Sequence, residues 1–236
     1  MKSGTIIKAI AVYSIIFLIF ISFVIISSDA TNNEKTIIKM GIALVVVWII
    51  ICGSLMYLFR NTIKSIIKQI PINWKLKFFL FSLFLILFEE IISTTITNLA
   101  PLFGGEIGKS FITASTNYFH VIFFHSAIMF IPFILVWTYL VSRYDFSPNQ
   151  IFLLFGLLGT FAESFLNPFA IISGFWIFVY GLMIYLPAYS LPNRENLKKP
   201  TLSAYFIALI IPIIISIPLS LIVIYLRNLL GIQLFV

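Results

Sequence analysis

The chain has little charge, little histidine and almost no cysteine, and each shortage narrows what it can be. Charged residues make up 10% of its 236 positions, against about 25% in an ordinary soluble domain. No stretch outside the apolar runs is long enough to build a separate core, which excludes a soluble catalytic domain. The single cysteine, Cys52, excludes a disulfide framework and a cysteine-based metal finger. Two histidines and eight acids leave few groups for acid–base or metal chemistry. Internal repeats, low-complexity tails and nucleic-acid motifs are absent, and nothing calls for a cofactor, a metal or a nucleotide.

What the chain has in abundance is hydrocarbon. It is 61% hydrophobic with 26 Phe and a mean hydropathy of +1.12. Seven apolar runs, near 9–26, 40–59, 78–100, 117–140, 151–167, 169–189 and 204–226, each come close to the ~20 residues that cross ~30 Å of hydrocarbon as a helix. The expected fold is an all-α, polytopic integral membrane helix bundle, one transmembrane domain over 1–236. Reading 151–189 as a re-entrant pair or one kinked element gives six or five spans instead. With seven, Lys2, Lys8, Arg60, Lys64, Lys68, Lys75, Lys77, Arg143, Arg194, Lys198 and Lys199 fall on one side, and only Lys35, Lys39, Lys109 and Arg227 on the other. The positive-inside rule then puts the N-terminus in the cytoplasm and the C-terminus outside a cell membrane. The first run, Ala9 to Ile26, is longer than the ~7–15 apolar residues of a secretory signal, so a retained helix is expected.

The net charge of +7 sits in short loops, which points to membrane lipid rather than nucleic acid as the partner. The loop from Arg60 to Lys77 is basic without an acid, and Ile63, Ile66, Ile67 and Ile70 recur at helical spacing before Pro71 and Trp74. That is an amphipathic interfacial helix suited to anionic lipid. Gly104-Gly105-Glu106-Ile107-Gly108-Lys109-Ser110 imitates a phosphate-binding loop, but Phe103 occupies the place of its first glycine and no strand precedes it. It is read as a glycine-rich turn.

Three of the eight acids, Glu89, Glu90 and Glu163, lie inside apolar runs. A carboxylate at mid-bilayer costs ~2.5–3.5 kcal/mol on insertion scales, so such residues are functional candidates. At 1.5 Å per residue they fall roughly 16–18 Å into the membrane, with His125 and Asn167 somewhat further towards the outer side. Glu90, Ser93, Thr94 and Thr97 form a polar stripe at i, i+3, i+4 and i+7, and Gly156, Gly159, Thr160, Glu163 and Asn167 share a face of small and polar residues. His120 and His125 stand about 140° apart on a regular helix and cannot chelate one metal. A buried carboxyl can be a protonated hydrogen-bond donor or a general base, and the hydroxyls can bond back to their own helices.

An acidic pair, a histidine some 30–36 residues later and a polar i, i+4 pair in a later span together resemble the CPBP family of intramembrane CAAX-type glutamate endopeptidases. The family pattern is E-E-x-x-x-R, F-x-x-x-H and H-x-x-x-N. Glu89-Glu90 match its start, Thr94 stands where the Arg would be, and Val121 and Thr116 stand where Phe would precede His125 and His120. Glu163 replaces the second His, and Asn167 keeps the Asn. The resemblance spans roughly 78–167. It implies that glutamates and histidine activate a water against a peptide bond while Asn167 holds the oxyanion. The expected site is therefore Glu89, Glu90, His125, Glu163 and Asn167. Three functions remain open: a membrane-embedded hydrolase or an inactive relative, a small-solute or proton-coupled transporter, and a structural protein with buried neutral acids. The substrate is not specified by any motif.

Overall fold

The computed structural model describes residues 3–165 and 168–235. Among the described residues there is no strand, only an isolated bridge between Tyr144 and Lys198. Helix α1 covers Ser3–Ser27; α2 covers Asn32–Leu44, continues through a π-helical stretch Val45–Cys52, and runs on as α3, Gly53–Gln69. Next come α4 (Trp74–Asn98), α5 (Tyr118–Phe124), α6 (Ser126–Arg143) and α7 (Pro148–Ser164). The chain ends with α8 (Ala170–Ser173), α9 (Phe175–Tyr189) and α10 (Leu202–Leu229). Five helical stretches are long and apolar enough to cross a membrane: Ser3–Ser27, Asn32–Gln69, Trp74–Asn98, Ser126–Arg143 and Leu202–Leu229. Helices α7 and α9, at 17 and 15 residues, are shorter.

Local chemistry sets the helix starts. Thr31 and Glu34 close a reciprocal capping box on α2, Ser147 and Gln150 do the same on α7 with Pro148 at its first position, and Asn73 caps α4 through the Lys75 amide. The basic amphipathic segment is helical as expected and stops before Pro71. It is not a separate interfacial element, however, because Asn32–Gln69 is one uninterrupted run of 38 residues. At 1.5 Å per residue that run is nearly twice the hydrocarbon thickness. Its last turns carry Arg60, Lys64 and Lys68.

Two further boundaries depart from the sequence expectations. The run 117–140 is not one helix: it breaks at His125, whose φ of −140° and ψ of −108° end α5 and start α6. The expectation for 151–189 resolves into α7, α8 and α9, with Gly174 at φ +70° turning the chain into α9. A side chain at Gly174 would strike Ser14 and Tyr13 of α1, so this turn needs glycine twice over.

Packing is that of a membrane bundle. The exterior of α1 is apolar, with Ile16, Phe20 and Phe23 largely exposed and Ser14 its one buried residue. Inside, α4 buries Ser82, Glu89, Glu90, Ser93, Thr94 and Thr97. Exposed apolar area on this scale is far beyond what a soluble monomer tolerates, and lipid is the solvent that fits it. Helices α7 and α9 form the most extensive helix–helix interface. Gly156 lies against the Ile177 backbone, Gly159 against the Tyr180 ring and Gly181 against the Phe152 ring. The small-residue face read from the sequence is thus the face that meets α9.

Candidate functional site

The polar stripe of α4 points into the bundle. Glu89 and Glu90 are 5% and 4% exposed, and both are buried although adjacent residues diverge by about 100°. This is achieved because α4 is covered on several sides, by α2, α5, α6 and α9. Ser93 Oγ donates to the Glu90 carbonyl at 3.3 Å and reaches its carboxylate at 3.5 Å. From α5, the Tyr118 hydroxyl donates to the Leu87 carbonyl at 2.9 Å, which ties the start of the broken helix to the level of the acids.

Glu163 lies in the last turn of α7, partly buried, and accepts a 2.8 Å hydrogen bond from the Tyr180 hydroxyl of α9. The Glu163 carboxyl acts electrostatically on Glu89 and Glu90 of α4, and all three act on the Tyr180 phenol. Among the described residues no lysine or arginine forms an ion pair with any of them; the two pairs present, Lys109–Glu106 and Arg194–Asp145, lie in loops. No three His, Cys, Asp or Glu side chains among the described residues gather closely enough to hold a metal ion.

Around Glu90 the hydrogen-bonding is incomplete. Thr94 Oγ1, Ser126 Oγ and His125 Nδ1 are buried without partners. Ser126 is the first residue of α6 and stands beside the Glu90 carboxyl without closing a well-formed bond to it. Unmet polar atoms inside a bundle cost ~1–3 kcal/mol each unless water or an ion meets them. His125 directly precedes Ser126 at the helix break, and its Nδ1 is buried. His120 is edge-on to the Phe124 ring on its own helix. The two histidines are parted by the break at His125 rather than by the pitch of a regular helix. Asn167 lies outside the described residues.

Of the expected site, Glu89, Glu90 and Glu163 therefore come together, with the backbone of His125 at their margin. Tyr180, Ser126 and Tyr118 complete the polar group, and none was singled out from the sequence. Tyr180 adjoins Gly181 but is one of three tyrosines in α9, with Tyr185 and Tyr189, so nothing in the sequence sets it apart. One more element abuts the site. Trp48, in the π-helical stretch, packs on Phe88 and donates its indole N–H to the Val179 carbonyl at 2.9 Å, joining α4 and α9 on either side of the acids.

The glycine-rich turn carries no phosphate-site geometry. Gly104 and Gly108 adopt φ of +93° and +83°, no strand leads into the turn, and Lys109 pairs with Glu106 at 2.7 Å. Two clefts, of about 880 and 130 Å³, are lined by other residues than the carboxyls, one between α1, α7 and α10 and the other between the ends of α3, α4 and α9. No family model, no curated protein and no solved structure matches this chain.

Proposed function

We propose that this polytopic membrane protein is a carrier whose buried carboxyls take up and release a proton or a small cation. The observation that carries the reading is the set of three carboxyls from two helices, without an ion pair to any base among the described residues, with the partnerless hydroxyls of Thr94 on the same helix and of Ser126 at a helix break. A carboxyl with no fixed counter-ion inside a membrane exchanges charge only by binding a proton or cation, and the free oxygens of Thr94 and Ser126 can complete its coordination. Interrupted helices near such a group are the usual framework for intramembrane ion sites.

The test is flux through the purified protein in liposomes loaded with a pH-sensitive dye, under imposed H⁺, Na⁺ and K⁺ gradients. The wild type is expected to dissipate at least one gradient, Glu90→Gln to lose at least tenfold of that rate, and Tyr180→Phe to slow it less. Flux no faster than in empty liposomes for all three ions defeats the proposal. A second reading, the CPBP-like endopeptidase, draws on the same acidic pair and on Ser126 and His125 at the start of α6. It requires His125 to work with Glu90, so His125→Ala must abolish cleavage of a membrane-embedded reporter peptide as fully as Glu90→Gln. In the carrier, His125→Ala retains most of the flux.

A further inference from the structure

At the end of the bundle where α3 stops and α4 begins, a cleft of about 130 Å³ is lined by Lys68, Lys77, Trp74, Phe78, Phe81 and Ser190. No acid lines it. Lys77 is held in place by donating to the Lys68 carbonyl at 3.2 Å, which still leaves two of its three N–H groups. Ser190, just past the end of α9, is 7% exposed, and its hydroxyl is buried without a hydrogen-bond partner. An orphan hydroxyl in a cleft that two lysines also line is a site waiting for acceptor oxygens, and the volume admits one phosphate group.

We propose that this cleft binds the phosphate of an anionic membrane phospholipid. Lys68 and Lys77 would neutralise it and Ser190 would donate to one of its oxygens. The surroundings favour a lipid over a free anion. Phe78 and Phe81 make the cleft's other walls apolar, and Leu76 and Leu80 of α4 are about half exposed alongside. That surface suits acyl chains descending from the headgroup. Trp74 at the mouth, with the Arg194 guanidinium 6.0 Å from its ring, is an interfacial anchor of the usual kind. A zwitterionic headgroup finds no acid here for its cation. The inference does not rest on the carrier reading.

The experiment is native mass spectrometry of the full chain in neutral detergent, titrated with phosphatidylglycerol, phosphatidylcholine or glycerol phosphate. Phosphatidylglycerol is expected to bind most tightly. Each lysine at a membrane surface contributes about fivefold, so Lys68→Gln with Lys77→Gln should weaken it roughly 30-fold. Lys198→Gln with Lys199→Gln removes the same charge from exposed positions in the neighbouring loop and should leave binding unchanged. Ser190→Ala should weaken the lipid while raising the melting temperature of the lipid-free protein, because it removes an unmet polar group. Should the double variant not fold, Lys68→Gln alone, at an exposed side chain, carries the comparison with a fivefold loss. Equal losses in the two lysine pairs would mean diffuse surface attraction and overturn the site. Equal binding of both lipids, or tighter binding of glycerol phosphate than of phosphatidylglycerol, would overturn the lipid assignment.

Discussion

Helices α1 and α4 have the same length of 25 residues but bury different things. Helix α1 is the more apolar, buries only Ser14, and leaves Phe20, Phe23 and several isoleucines exposed. Helix α4 is less apolar, and its buried side includes two glutamates and four hydroxyl residues. In water the apolar face would turn inwards. In hydrocarbon that drive vanishes, because lipid is as good a neighbour for Phe23 as another helix is. The interior holds large apolar side chains such as Trp48, Trp137 and Phe155 beside the polar groups of α4. The difference between the two helices teaches that hydrophobicity alone does not select what is buried here: polar groups that need partners and small residues that fit closely are drawn inside as well.

Four substitutions test that contrast, beginning with the largest effect. Gly159→Ala places a methyl group into the Tyr180 ring at the α7–α9 interface, and should cost roughly 2–3 kcal/mol in a detergent unfolding titration. A wild-type curve would mean that the small-residue face does not set the packing. Trp48→Phe removes the indole bond to Val179 at 2.9 Å, for an expected loss of about 1–1.5 kcal/mol read in the same titration. Gly41→Ala inverts the sign. Nothing lies within 4 Å of its added carbon, so the helix preference for alanine should raise stability by roughly 0.5–1 kcal/mol, seen as a higher melting temperature. The smallest effect belongs to Phe23→Leu on α1, where the ring is 70% exposed. Its unfolding midpoint should stay within about 0.5 kcal/mol of wild type. A larger change would mean that the face contacts protein, such as a second copy, rather than lipid.

Much of this was legible beforehand, and the legible parts share a cause. The stop before Pro71, the amphipathic run to Ile70 and the inward stripe from Glu90 to Thr97 are all written within one or two helical turns. Sequence spacing is then the same thing as spatial proximity. The approach of Glu163 to the acidic pair was partly legible too, since the glycines of its own face show which way it points. The break at His125, the continuity of Asn32–Gln69, the indole of Trp48 and the phenol of Tyr180 were not. The last two depend on a partner in another helix: Tyr180 on Glu163, Trp48 on Val179.

By itself, the sequence determined that this is a helical protein for a membrane, where its apolar stretches lie, and which three acids had to be accounted for. Those follow from composition and local periodicity, because the cost of leaving a backbone or a carboxyl unmet in hydrocarbon leaves few alternatives. Only the tertiary structure decided that α4 and α7 bring their carboxyls into one field, and that a tyrosine from α9 meets one of them. It alone decided that His125 interrupts its helix. Such choices rest on which helix faces meet, and where side chains slide freely between lipid and protein, packing and hydrogen-bond geometry decide the meeting.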